Sequence, residues 1–263
     1  MSSHLVLARV LGTVGLINGP RVGIVVDLAG ERETPVLEHR CQRCSASLGS
    51  ASLVPVASWF RRCPTDPTHP RWRYPVTDLA LAACFAFMGA RFGASWILVP
   101  YLLLFVSFVA MSIIDLEHKL LLNILTYPTL GAALFGVLVL SGPNDHADGI
   151  YPALIGALTY LGILGLAFIV YPPGLGLGDV KLAPTLGLAM GWVAADSLTA
   201  VMMVLYALLV GFFTLGVLGV LYGKVMGKGL KVELPAGPFL VLGALVLIVY
   251  SDPSLSAIGA PLA

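Results

Sequence analysis

From about Val76 onward the chain reads as a succession of apolar runs, each close to the length of a bilayer crossing and separated by short polar turns. Spanning the hydrocarbon core takes about 20 mostly apolar residues. The segment must be helical, because no water is present to satisfy a stray backbone N–H or C=O. The runs cover 76–90, 95–114, 121–141, 150–171, 180–195, 198–222 and 234–250. They predict an all-α, polytopic helical membrane protein of about seven spans. The 76–90 and 180–195 runs are short, and the latter carries Lys181 and Pro184, which suit a broken or cavity-lining helix. Composition agrees: 58% of residues are hydrophobic and 11% charged. A soluble domain carries roughly 25% charged residues. Disordered, collagen-like and soluble single-core classes are thereby excluded. The net charge of +1 gives no bulk attraction to nucleic acid; the expected partner is the lipid bilayer.

Residues 1–75 differ from the rest. They hold nine Arg and no Lys, without an uninterrupted apolar run. The stretch HLVLARVLGTVGLINGP has Arg9 in its middle, so it reads neither as a signal peptide nor as a good membrane helix. The following RVGIVVDLAG looks strand-like. The expected organisation is a cytoplasmic segment over 1–75, a membrane domain over 76–250 and a short tail over 251–263. Of the fifteen Lys and Arg, all but Arg91 fall in 1–75, 115–120, 172–181 and 223–233. Excess positive charge marks cytoplasmic loops. That places the N-terminus inside the cell membrane and the C-terminus outside.

Charges beside membrane helices are costly and ask for a reason. Asp115 ends the second apolar run in SIIDLEHKLLLN, and Asp179 opens the fifth after the turn PPGLGLGDVKLAP. Both fall on the cytoplasmic side of an orientation derived without counting acids. Two carboxylates that approach each other cannot easily both ionise, so such a pair shares a proton at moderate pH. One member can then take a proton from water while the other gives one to a departing group. Gly176 and Gly178 suit this chemistry by letting a substrate strand approach the main chain. Separately, each acid has a plainer reading: Asp179 as a first-turn helix charge, Asp115 as an interfacial residue in water.

Together these segments resemble a known family. IIDLEHKLLLNILTYP is similar to the aspartate motif of bacterial type IV prepilin peptidases, which are GxGD-type membrane aspartyl proteases. GLGLGDVKL resembles their GxGD signature, LPAGPFLVLGAL their late Leu-Pro-Phe-Gly-Pro-Phe helix, and RYPVTDLA their Arg-Tyr-Pro segment. The resemblance implies Asp115 and Asp179 as the catalytic pair, with Gly176, Gly178, Lys181 and Asn123 in support. It implies an endopeptidase that removes the leader of prepilins or pseudopilins at the cytoplasmic membrane face. It also implies possible methylation of the new N-terminus with S-adenosylmethionine. The sequence departs from the family pattern at Leu122, Ala236 and Asp78, where Pro, Phe and Glu are usual. The family's N-terminal membrane helix is not recognisable in residues 1–40.

Cys41-Gln42-Arg43-Cys44 followed by Cys63 lies in a segment expected to be reducing, which argues against a disulfide. A CxxC spacing presents two thiolates to one tetrahedral zinc. The family often carries two such pairs here. The second is broken in this chain, so His69 is the expected fourth ligand and Asp66 the runner-up. A degenerate knuckle without metal is the competing reading. Cys84, among Ala and Phe, reads as a small apolar filler.

Around the aspartates, Glu117 and His118 read as loop residues, His118 with the chemistry to tune the site. Lys181 pairs with a carboxylate or snorkels to the interface, and Asn123 would orient Asp115. Two other function classes share these features. A proton-coupled transporter also uses intramembrane acids and broken helices, but with midplane carboxylates and pseudo-symmetric halves. A non-catalytic assembly protein would dock pilins without cutting them.

Overall fold

The computed structural model describes residues 2–30, 54, 56–60, 73–141, 149–172, 175–225, 227 and 234–251. Among the described residues every regular element is a helix. In chain order these are α1 (Ser2–Gly30), α2 (Ala57–Phe60), α3 (Arg73–Phe92), α4 (Leu98–His118), α5 (Asn123–Ser141), α6 (Ile150–Val170), α7 (Leu177–Trp192), α8 (Ser197–Val225) and α9 (Gly237–Tyr250). Each of the seven expected runs is one of the helices α3 to α9. Among the described residues six helical stretches are long and apolar enough to cross a membrane: His4–Gly23 within α1, then α3, α4, α5, α6 and α8. α9 is a shorter apolar helix. The protein is a multi-pass helical membrane protein. The chain divides into two compact units, Met1–Ile114 and Asp115–Ala263.

The first unit corrects the sequence reading at its start. RVGIVVDLAG is not a strand: it continues α1 to Gly30, across Pro20. Strand-favouring Val and Ile carry little weight where the alternative is an unpaired backbone in lipid. Arg9 interrupts the apolar run, yet its side chain is exposed, and a single long cation on the outer face of a helix can snorkel. α1 packs tightly on α3. A Cβ on Gly15 would lie 2.7 Å from the Leu81 carbonyl oxygen, and one on Gly89 would lie 2.6 Å from Leu11 Cδ1. Asp78, buried in α3, accepts a hydrogen bond from Trp59 Nε1 at 2.8 Å. Cys84 is buried in the same helix, as expected of an apolar filler.

The second unit is arranged around α7, the shortest of its helices after α9 and buried over most of its length. Pro184 does not break α7, which is continuous from Leu177 to Trp192. A proline clashes with the carbonyl four residues back and lacks an N–H. Neighbouring helices in a bundle tolerate that loss. α6 lies against α7 through backbone. The Gly156 carbonyl stands where a Gly187 Cβ would be, and the Pro152 carbonyl where a Gly191 Cβ would be. The sequence Gly187-Leu-Ala-Met-Gly191 is a small-xxx-small stripe, the pattern that brings membrane helices into close contact. At the far end of α7, Trp192 Nε1 donates to Ser141 Oγ on α5 at 3.0 Å. α8 and α9 meet in the same way, with a Gly211 Cβ position 2.9 Å from the Phe239 carbonyl oxygen. Asp196 caps α8, its Oδ1 accepting from the Thr199 N–H at 2.7 Å. Large apolar side chains such as Ile169, Leu209 and Phe213 point outward, as a lipid solvent requires.

Because the obstacle at residue 187 is main chain, no rotamer change can relieve it. Gly187→Ala is expected to lower stability by about 1–3 kcal/mol, read as a fall in the unfolding midpoint in detergent. Gly165→Ala, with open space around it, should leave the midpoint unchanged or raise it.

Candidate active site

The sequence brings two acids to the same end of the second unit by different routes. Asp115 sits in the last turn of α4, just before the chain turns. The Lys119 N–H closes that helix on the Asp115 carbonyl at 2.8 Å, and Lys119 itself is left-handed at φ 52°. Asp179 lies in the first turn of α7, behind the extended N-cap Gly176 (φ −74°, ψ 142°). Its N–H donates to the Gly176 carbonyl at 3.1 Å. Both side chains are 6% exposed.

The carboxylates converge on one point of a third element. Gly237 begins α9, and its N–H donates to Asp115 Oδ2 at 3.1 Å. From the Gly237 Cβ position, Asp115 Oδ2 is 2.6 Å away and Asp179 Oδ1 is 3.6 Å away. Two acidic oxygens from residues far apart in the chain thus lie close to one empty position beside Gly237. Glycine also serves at the other side of the pair. A Gly176 Cβ position would stand 3.2 Å from Asp179 Oδ2, and one at Gly178 would stand 2.7 Å from Leu121 Cβ.

The pair opens onto a cavity of about 1010 Å³. Its wall includes Asp115, Asn123, Gly176, Gly178, Asp179 and Lys181, all six of the residues expected around the acids. Lys181 Nζ donates to Asn123 Oδ1 at 2.9 Å and stands 5.9 Å from the centre of the Tyr127 ring. Asp179 and Lys181 are two apart on a helix and so point different ways: the acid toward Asp115 and α9, the cation toward α5. Asn123 Oδ1 is engaged by Lys181. His118 Nε2 and Glu117 Oε2 are 4.0 Å apart at the end of α4. Cys41, Cys44, Cys63, Asp66 and His69, the expected zinc ligands, lie outside the described residues. Among the described residues no cluster of three metal-binding side chains occurs.

Gly237 is the site residue that sequence reasoning did not single out. The Ala-Gly-Pro before an apolar run does mark a helix start, since Pro suits the first helical positions. Nothing local says which side chain that start faces. An arrangement of two buried, adjacent carboxyl groups beside an open cavity suits general acid–base work on a polar bond.

Comparison with known proteins points the same way. Residues 101–220 match the type IV leader peptidase family. The chain is 28% identical over 237 residues to a prepilin leader peptidase/N-methyltransferase of Stutzerimonas stutzeri, covering 85% of this chain and 76% of that one. It is 25% identical over 266 residues to the protein of the same description from Bacillus subtilis, covering 97% and 96%. A type 4 prepilin-like proteins leader peptide-processing enzyme of Escherichia coli is 26% identical, with 79% and 74% covered. No solved structure matches.

Because Lys181 and Asn123 meet in the cavity wall, cysteines placed at both positions in a background lacking the native cysteines should be joined by a short bifunctional thiol reagent. The intramolecular product is read as a mass increase of one linker with no free thiol. Double-labelled protein without a bridge would contradict the geometry.

Proposed function

We propose that this chain belongs to the type IV leader peptidase family, which it resembles, and that it hydrolyses the leader–helix junction of a prepilin or pseudopilin with Asp115 and Asp179 as its catalytic pair. The observation that carries this reading is the convergence of the two carboxylates on Gly237 beside the cavity. One carboxylate takes a proton from water as the water oxygen attacks the scissile carbonyl carbon. The other, holding the shared proton, gives it to the departing amine nitrogen as the C–N bond breaks. These steps need no covalent intermediate. Exposed Gly176 leaves the main chain accessible to an extended substrate beside Asp179, Gly178 makes room for Leu121, and Lys181, held by Asn123, adds a positive charge to the cavity wall. A transporter reading calls for acids near the bilayer midplane, whereas Asp115 and Asp179 sit at helix ends.

The proposed location is the inner (plasma) membrane, with the site at its cytoplasmic face. The basic loops set this orientation. Counting α1 and the short helices α7 and α9 as crossings gives an even number. The first residues of the chain then lie outside, like the C-terminus, in reversal of the sequence expectation. Enzymatic reporters fused at the N-terminus and in the 119–122 turn should report opposite sides.

Methylation by S-adenosylmethionine is carried by the description of two of the relatives, and the zinc knuckle by the cysteine spacing alone. Metal analysis of the purified chain, against one with Cys41 and Cys44 replaced by Ser, tests the latter. For the peptidase, membranes containing the protein are incubated with a synthetic prepilin and the products weighed. Cleavage is expected with the natural chain, and a drop of at least about 10²-fold with Asp115→Ala or Asp179→Ala. The same spectrum reads the added methyl group. Cleavage that survives both substitutions would end the proposal.

A further inference from the structure

The start of α9 is built so that a single amide is directed at the acid pair. Phe239 and Leu240 turn their N–H groups back to the Ala236 carbonyl, each at 3.0 Å. Pro238 has no N–H to offer. That leaves the N–H of Gly237, which is buried and donates to Asp115 Oδ2 at 3.1 Å. The glycine is not there for an unusual backbone angle. Gly93 and Gly227 are the glycines with positive φ among the described residues, and Gly237 is not one of them. What it supplies is space: any side chain would start 2.6 Å from Asp115 Oδ2 and 3.6 Å from Asp179 Oδ1. The position therefore holds two properties at once, a donor aimed at one acid and a gap that the same acid fills, with the other in van der Waals reach.

We propose that the Gly237 main chain is a positioning element of the hydrolytic reaction: its N–H fixes one oxygen of Asp115, and its missing side chain leaves room for that oxygen next to Asp179. This rests on the peptidase reading above. A carboxylate at the end of a helix is free to rotate about its terminal torsion, which is broad and roughly two-fold. Binding one oxygen removes that freedom and presents the other oxygen to the cavity. The donor also lies at the positive end of a helix, which favours negative charge on the bound oxygen. The backbone thus orients the acid with no side chain that could itself take up the proton.

Two changes separate the donor from the gap. Replacing Gly237 by glycolic acid, through suppression of a stop codon at that position, exchanges the N–H for an ester oxygen and adds no atoms. Gly237→Ala keeps the N–H and fills the gap. Both are purified in detergent and tested for cleavage of a synthetic prepilin from pH 5 to pH 9, with unfolding midpoints measured alongside. The ester is expected to lower kcat by roughly ten-fold or more, the effect of losing one hydrogen bond to a charged group. KM should not change, the pH–rate profile should be displaced, and the unfolding midpoint should stay near that of the natural chain. Gly237→Ala should lose cleavage, while Gly165→Ala, in open space, should keep it. If Gly237→Ala fails to fold, the ester alone decides. An ester with unchanged kcat and pH profile overturns the inference while leaving the peptidase reading standing, provided Asp115→Ala is inactive. Failure of the natural chain to cut any prepilin would overturn both.

Discussion

Inside a bilayer an apolar side chain gains little by turning from lipid to protein, so this structure depends on how closely its helix backbones can approach. The contact between Gly156 and Gly187 is the clearest case. One carbonyl occupies the volume a side chain would need, and dispersion between main chains replaces the hydrophobic effect as the source of cohesion. The same device recurs between α8 and α9. Because these contacts are made by backbone, they fix register: α7 cannot slide along α6 by a fraction of a turn without a collision. Asp179, at the head of α7, inherits that precision.

The acid pair follows from the same arrangement. A carboxyl group in a low-dielectric surrounding is tolerated only when donors or a partner are in place. Here the partners are main-chain groups at helix starts and the neighbouring acid itself. Helix ends are where free N–H groups occur. Three helix ends, those of α4, α7 and α9, meet at the cavity wall. The site is thus assembled from termini, which explains why short helices take part in it. A longer α7 or α9 would carry its first turn past the acids.

What could be read from the sequence follows the same physics. Helices α3 to α9 were legible because each needs a sustained apolar run, and that requirement leaves a mark on every residue. Asp115 and Asp179 were legible because a charge in such surroundings stands out. α1 was not, since Arg9 interrupts its run and the Ile24-Val25-Val26 stretch has strand-like composition. The deciding fact, that one face of α1 lies against α3, resides in another part of the chain. Gly237 was hidden for a related reason. Its value is a distance to residues far away along the polypeptide, and a glycine before a proline carries no sign of that distance. Asn123 shows the converse: expected to orient Asp115, it lines the cavity with its oxygen bonded to Lys181.

The ties to α7 have one more consequence. Lys181 and Trp192 join the two ends of this helix to α5, and glycine contacts join its middle to α6. α8 and α9 are riveted to each other through Gly211 and Gly243. Gly237, at the head of α9, is where that pair meets Asp115 and Asp179. Any shift of α9 away from α7 would therefore disturb the amide that holds Asp115, so the geometry of the acid pair is tied to the seating of that last helix.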